Sequence, residues 1–550
     1  MASITNTDPN DPSLSGHDHL CSVRRPVEAS STKPTRIRDN ATVVFVPQFG
    51  QTKREQELQL SYVKSYAARL GHSKRKARKS THAQEPATGN EGKQSGMQEL
   101  TKSRYNMFWP HPKTLLSEST TDPFNNIESR RLSPLALRSL EHTYQIVWPG
   151  NFPTIRGPAL RSLIQLWRRT TVQSDLAFHT HVAQAASVCY LLSTDPETKD
   201  NLMKVRINHQ YTSTKLVRET IAALSGPASD DLIESILRLA ANGVNIIETP
   251  IVTKYPESPM MECMRHPKLY GRFEPAMPHF FVLRHLVETR GGLDALAPAT
   301  SQPLQVCSLA MASVHGVRPL FEPLRTYRYM SDNLRFNFDQ EAKQLLLALG
   351  EGWLEMQESQ PLVYRLGRRA ALLTAALEQT MRAAPGHLSY AEICVSAFML
   401  QHDLCVTNPS SSFGEAAAES GDEVSDICRL GLHIYFEVVL FTAVGVYAAK
   451  PRLATEMQVA LTRIQNREDT SQYSKLILWA VFMGAVAAED DPKLRDWYLV
   501  RFDQLVIQQD LGWLALKRKL TGYLWWDFTF EKRTRDIWRD ACDKTIDGGR

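Results

Sequence analysis

The sequence predicts an all-α protein: a large multi-helix bundle or array, preceded by a disordered N-terminal arm that contains one short basic helix. Three observations predict it. Apolar residues recur with a 3.6-residue period in nearly every segment after Tyr105, while strand-like alternation is scarce. Hydrophobic residues make up 43% of the 550, and all ten tryptophans lie beyond residue 108, so there is material for a large core. Outside one short stretch in the basic element, the first hundred residues lack both features.

Residues 1–40 are rich in Ser, Thr, Asp, Asn and Pro, and are expected to be disordered. Residues 41–79 form a basic element. It opens with the apolar run Val43–Phe49. Thr52 and Glu55 then stand at capping-box spacing. Leu58, Tyr62, Tyr66 and Leu70 recur every four residues as one apolar stripe, and Gly71 is placed to end the helix. Lys74, Arg75, Lys76, Arg78 and Lys79 follow directly. Residues 80–104 return to a low-complexity polar composition and read as a flexible linker.

The helical body is expected over 105–545. Its clearest periodic segments are Leu135–Val147, Leu160–Trp167, Ala177–Leu192, Leu232–Ile247, Phe280–Leu296, Leu345–Leu362, Ala370–Met381, Tyr390–Leu404, Leu476–Ala488 and Leu511–Leu524. The Ser/Glu/Gly-rich stretch 407–426 reads as a mobile loop. The longest apolar runs, Leu432–Ala449 and Leu476–Ala488, read as buried core helices. His433 and Glu437 interrupt the first, and the second falls short of the ~20 residues that span a bilayer. No membrane contact is expected, and the polar N-terminus has no apolar stretch of a signal peptide.

Charge is unevenly spread. Residues 1–105 carry 17 Lys/Arg and 10 Asp/Glu, a net +7, against +5 for the whole chain, so the rest sums to −2. Five cations in the six positions 74–79 repel one another and suit a polyanion or a receptor that reads basic peptides. Three readings stay open: a nuclear-import signal, direct nucleic-acid contact, and a solvated tail. If all five cations met phosphates, the log–log salt slope would be about −4 to −5. Such contacts position a protein on nucleic acid without reading sequence.

The familiar catalytic, cofactor and metal patterns HExxH, GxSxG, GxxxxGK[ST] and GxGxxG are absent. His179 and His181 lie two apart on a helix and point to different sides. His285 and Glu288 share a helix face, which is ordinary helix electrostatics. Gly291-Gly292 ends an amphipathic helix. Eight scattered cysteines without a CxxC pair fit a reducing compartment. No catalytic residue, cofactor or metal is assigned.

Several body segments, in order, resemble the fungal-specific transcription factor domain family. The first is Thr121-Asp122-Pro123-Phe124-Asn125, followed by His142, Tyr144 and Trp148-Pro149. The second is His285-Leu286-Val287-Glu288-Thr289-Arg290-Gly291-Gly292-Leu293. The third is Leu478–Ala485 with Leu494-Arg495-Asp496-Trp497, and the last runs from Leu520 to Trp538 and includes Leu524-Trp525-Trp526-Asp527. The resemblance implies an all-helical regulatory body in a nuclear protein, and implies no reaction. Many relatives carry six cysteines of a zinc cluster near the N-terminus, but here only Cys21 precedes the body, and one thiolate cannot hold that cluster.

The expectation is therefore a nuclear transcriptional regulator whose body is an interaction or effector module. Its expected partners are an import receptor and DNA, reached directly or through a partner regulator, with a homo- or heterodimer left open. One alternative is direct DNA binding through 53–79. Another is a helical enzyme with an unrecognised site. The aromatic cluster Trp525, Trp526, Phe528 and Phe530 is expected to pack the last helices together.

Overall fold

Periodic apolar faces give helices over most of the described residues. The computed structural model describes residues 133–150, 157–243, 245–256, 258–262, 267–407, 422–465, 471–507 and 509–548. The arm 1–40, the basic element 41–79, the linker 80–104 and the start of the body to residue 132 lie outside them. The described residues are all-α, with no named strand and one isolated antiparallel bridge, Ile246 to Phe273.

The first half is a helical layer. It holds α1 (Pro134–His142), α2 (Gly157–Thr171), α3 (Asp175–Leu192), α4 (Pro196–Ala222), α5 (Asp230–Ala241) and α6 (Met277–Arg290). Helix α3 is its hub, packing against α1, α4 and α5. Local chemistry starts these helices. Ser133, Ser174, Asp195 and Ser229 each accept a backbone N–H in the first turn of α1, α3, α4 and α5. At the end of α6, Gly291 takes the left-handed conformation (φ 99°), and its N–H and that of Gly292 satisfy last-turn carbonyls. This is the helix end read from Gly291-Gly292.

Two connecting helices follow, α7 (Pro298–His315) and α8 (Arg325–Asp332). Helix α7 contacts both α5 and the second half. The second half holds α9 (Gln340–Ala348), α10 (Pro361–Met381), α11 (Tyr390–Val406), α12 (Glu423–Tyr435), α13 (Lys450–Gln465), α14 (Ser474–Ala487), α15 (Pro492–Phe502), α16 (Trp513–Tyr523) and α17 (Asp527–Gly548). Every residue from Leu476 to Ala487 is buried, so α14 is apolar all round and sits at the centre. Close approach there needs glycine: a Cβ at Gly431 would lie 2.3 Å from the Trp479 ring, and one at Gly484 would lie 2.1 Å from Tyr498.

Four sequence expectations are corrected. Leu345–Leu362 is not one helix. Gly350 turns left-handed (φ 85°) after α9, a 3-10 turn covers Glu351–Met356, and α10 starts afresh at Pro361. The break lets Trp353 drop into the core, where its indole N–H donates to Tyr523 O. Leu232–Ile247 ends early, at Ala241, because the Asn242 side chain donates to Arg238 O and the chain turns into the Ile246 bridge. Leu432–Ala449 is likewise not one helix. After α12 the chain makes a π-helical turn over Phe436–Leu440 and is extended at Phe441. Lastly, the loop read at 407–426 is shorter at its far end. Asp422 accepts Ser425 N–H and α12 is already helical from Glu423, while 408–421 lie outside the described residues.

Candidate functional site

The cation run Lys74, Arg75, Lys76, Arg78 and Lys79 and its capped helix lie outside the described residues. The candidate site must be sought in the body, among polar groups that the fold has gathered. The tightest such group joins α7 to α12. Ser313 Oγ donates to Glu437 Oε1 (2.8 Å) and lies 2.6 Å from His433 Nε2. One hydroxyl has one proton, so with Glu437 ionised the arrangement that satisfies both contacts puts a proton on His433 Nε2. His433 and Glu437 stand four apart, where α12 passes into its π turn, so both reach the same hydroxyl.

Arg452 of α13 closes the group from the third side. Its Nη2 donates to Ser313 O (2.6 Å), its Nε to Val314 O (2.9 Å) and its Nη1 to Glu456 Oε1 (2.6 Å). Two of these acceptors are last-turn carbonyls of α7, where a cation also favours the helix dipole. Burial pushes the Glu437 carboxyl up to about 7, against the opposing pull of the Ser313 hydroxyl, the Ala443 amide, Lys450 and Arg452. Burial, with Arg452 and Arg429, holds His433 well below the usual imidazole range.

A hydroxyl, an imidazole and a carboxylate are the parts of a nucleophilic triad, but the order is wrong. Activation needs the imidazole between the other two, where it can take the hydroxyl proton and be steadied by the acid. Here the hydroxyl is in the middle. Ser313, His433 and Glu437 are 1%, 2% and 1% exposed, so substrate has no access in this conformation. The group works as a sealed hydrogen-bonded link between helices. His433 and Glu437 were visible in the sequence as interruptions of an apolar run. Ser313 gave no signal, being 120 residues from His433.

A second polar group lies in the first half. His179 Nδ1 is 2.9 Å from His209 Nδ1, while His181 turns the other way and its Nδ1 meets Ala177 O (2.7 Å). The two histidines of the H-x-H pair therefore do point to different sides. Burial and His179 hold His209 down at about 4, and burial with Arg238 holds His181 well below its usual range. Beside them, Thr180, Gln184, Arg206, Gln210 and Arg238 line a slot of about 10 Å³, room for one water. A wider, open groove of about 320 Å³ is lined by Met330, Asn333, Leu334, Arg335, Leu388 and Glu392. It holds no cluster of perturbed titratable groups.

The remaining sequence candidates take structural places. Glu288 pairs with Arg284 (2.8 Å), and His285 is exposed. Arg290 reaches across to Ala228 O and to Asp230 Oδ1 (2.9 Å) at the start of α5. Trp525, Trp526 and Phe530 are buried, whereas Phe528 is 47% exposed. The described cysteines, Cys189, Cys307, Cys394, Cys405, Cys428 and Cys542, are all free thiols, and burial raises their pKa values. Among the described residues, no group of three or more His, Cys, Asp or Glu is placed to hold a metal ion, and no helix is long and apolar enough to cross a membrane. No protein-family model, curated protein or solved structure matches this chain.

Proposed function

We propose that the chain is a nuclear transcriptional regulator whose helical body is an interaction module and whose basic arm meets an import receptor or nucleic acid. The observation that carries the reading is the charge partition: +7 within residues 1–105 against −2 for everything after them. A polyanion or a basic-peptide receptor is drawn to the arm, and the body offers no net attraction of that kind. The body segments that resemble the fungal-specific transcription factor domain lend further support. The third and fourth, far apart in sequence, pack on one another: Trp479 Nε1 donates to Leu524 O (3.0 Å), and Phe482 stacks on Trp525 with ring centroids 5.6 Å apart. A non-enzymatic role is favoured by the sealed state of the Ser313, His433 and Glu437 group.

The test is chromatin occupancy of the tagged full-length chain, with and without Lys74–Lys79. Occupancy at discrete loci that falls when the run is deleted is the expected result. Uniform background occupancy for both forms would sink the reading. Direct DNA binding through 53–79 is the second reading, favoured by the capping-box spacing of Thr52 and Glu55 and the apolar stripe that precede the cation run in the sequence. A gel-shift salt titration on the full chain decides it: no shift at low salt removes direct binding and leaves import.

A further inference from the structure

We propose that Ser133 is a phosphorylation site, written by a kinase that reads the arginines before it, at the start of α1. The sequence there is Arg130-Arg131-Leu132-Ser133-Pro134. Arginines three and two residues ahead of a hydroxyl present two planar, permanently charged forks, the chemistry that an acidic kinase cleft recognises by bidentate ion pairs. The structure shows that the hydroxyl is available to such an enzyme. Ser133 is exposed and extended (φ −66°, ψ 141°). Its Oγ accepts the Ala136 N–H (3.1 Å), a contact that uses the oxygen and not the hydroxyl proton.

Other described Ser and Thr hydroxyls stand three residues after an arginine, but each lies within a helix and is hydrogen-bonded, the exposed Thr455 to Pro451 O (3.1 Å). Thr171 is 2% exposed and its Oγ1 donates to Trp167 O. Thr521 sits within α16, bonded to Lys517 O. Ser331, after Arg328, is held by Arg369 and by Ser396 Oγ (3.0 Å), and Arg328 itself is locked on both oxygens of Asp403. Ser133 differs in being exposed, extended and outside a helix.

In the transfer, Ser133 Oγ attacks the γ-phosphorus of a nucleoside triphosphate held by the kinase. The new O–P bond forms as the bond to the bridging oxygen breaks. The nucleoside diphosphate departs, and the hydroxyl proton passes to the kinase's base. The product places a dianionic group at the N-cap of α1, whose first turn has no acidic residue to repel it. There its oxygens can strengthen the contact that Ser133 Oγ already makes with the Ala136 N–H and gain from the helix dipole. The modification would therefore tighten the start of α1 and add negative charge there. It stands independently of the transcriptional reading.

The experiment incubates the full chain with MgATP and either an arginine-directed or a proline-directed Ser/Thr kinase, with sites mapped by mass spectrometry. The arginine-directed enzyme is expected to modify Ser133 and leave Ser331 untouched. The double variant Arg130→Ala/Arg131→Ala should react roughly tenfold or more slowly, the loss expected from removing charge-assisted hydrogen bonds. Ser133→Gly, which keeps a tolerated N-cap, should abolish the signal without unfolding the protein. Hydrogen exchange at Ala136 and Leu137 should slow roughly two- to fivefold on phosphorylation. Absence of phosphate on Ser133, equal rates with and without the arginines, or modification by the proline-directed enzyme alone would overturn the proposal. Unchanged exchange would overturn its effect on α1.

Discussion

The two halves of the body are both helical, but they are held together differently. In the first half, the seam between α3 and α4 buries Thr180, Arg206, His209 and Ser213. The hydroxyls bond back to their own helices, and Arg206 Nη2 donates to Gly243 O (3.0 Å). In the second half, α14 is wrapped by apolar and aromatic groups, with Trp353, Trp479 and Tyr523 in mutual contact. The difference teaches that helical period alone does not say what cements the helices. A polar seam is sensitive to protonation, whereas an aromatic core is sensitive to volume.

The sharpest way to break the comparison is a cavity in the second half. Trp479→Ala removes a wholly buried indole and leaves Leu524 O without its donor. It is expected to cost about 3–5 kcal/mol in urea denaturation. A cost near zero would mean that the aromatic cluster is not the cement.

Next is Glu437, at the boundary between the halves. Its folded pKa of about 7 lies above the ordinary 4.5, so the unfolded chain ionises first. Stability is full below 4.5 and declines as pH rises to 7, by about 3 kcal/mol. Glu437→Gln should flatten this limb in denaturation curves measured across that window, and an unaltered slope would refute the assignment.

The polar seam predicts the opposite limb. His209 has a folded pKa of about 4, below the ordinary 6.5, so its contribution is present above 6.5 and is lost as pH falls towards 4. Near pH 5 the loss is about 2 kcal/mol. A His209→Gln variant should lose less stability on acidification than the parent, and a chain equally acid-sensitive without the imidazole would contradict this. The smallest effect belongs to a helix end. Gly291→Ala forces a side chain into φ 99° and should cost about 1–2 kcal/mol, read as a lower melting midpoint.

The helices were legible because their signals are local. Ala177–Leu192 appears as α3, Tyr390–Leu404 within α11, and Leu476–Ala488 as α14 with one residue of difference at its end. Capping and period involve residues within a turn of each other, so a sequence window contains all the information needed. The misreadings share a cause as well. In Leu345–Leu362 and Leu432–Ala449, the apolar spacing continued across a break at Gly350 and at Phe441. Apolar residues stand on both sides of each break, because Leu349, Trp353 and Met356, like Leu440 and Val444, are buried there. Of the candidate site, the acid and the imidazole were legible as oddities, and their partner was not.

By itself the sequence determined that the body is helical, where many of its helices begin and end, and that the positive charge is gathered in the arm. Those properties depend on residue type and short spacing. Only the tertiary structure decided which polar groups share a dry interior. Ser313 meets His433 and Glu437 because α7 crosses α12, and Arg452 seals them because α13 packs alongside. That outcome follows from the packing of helices more than a hundred residues apart, and from the cost of burying a polar group without a partner.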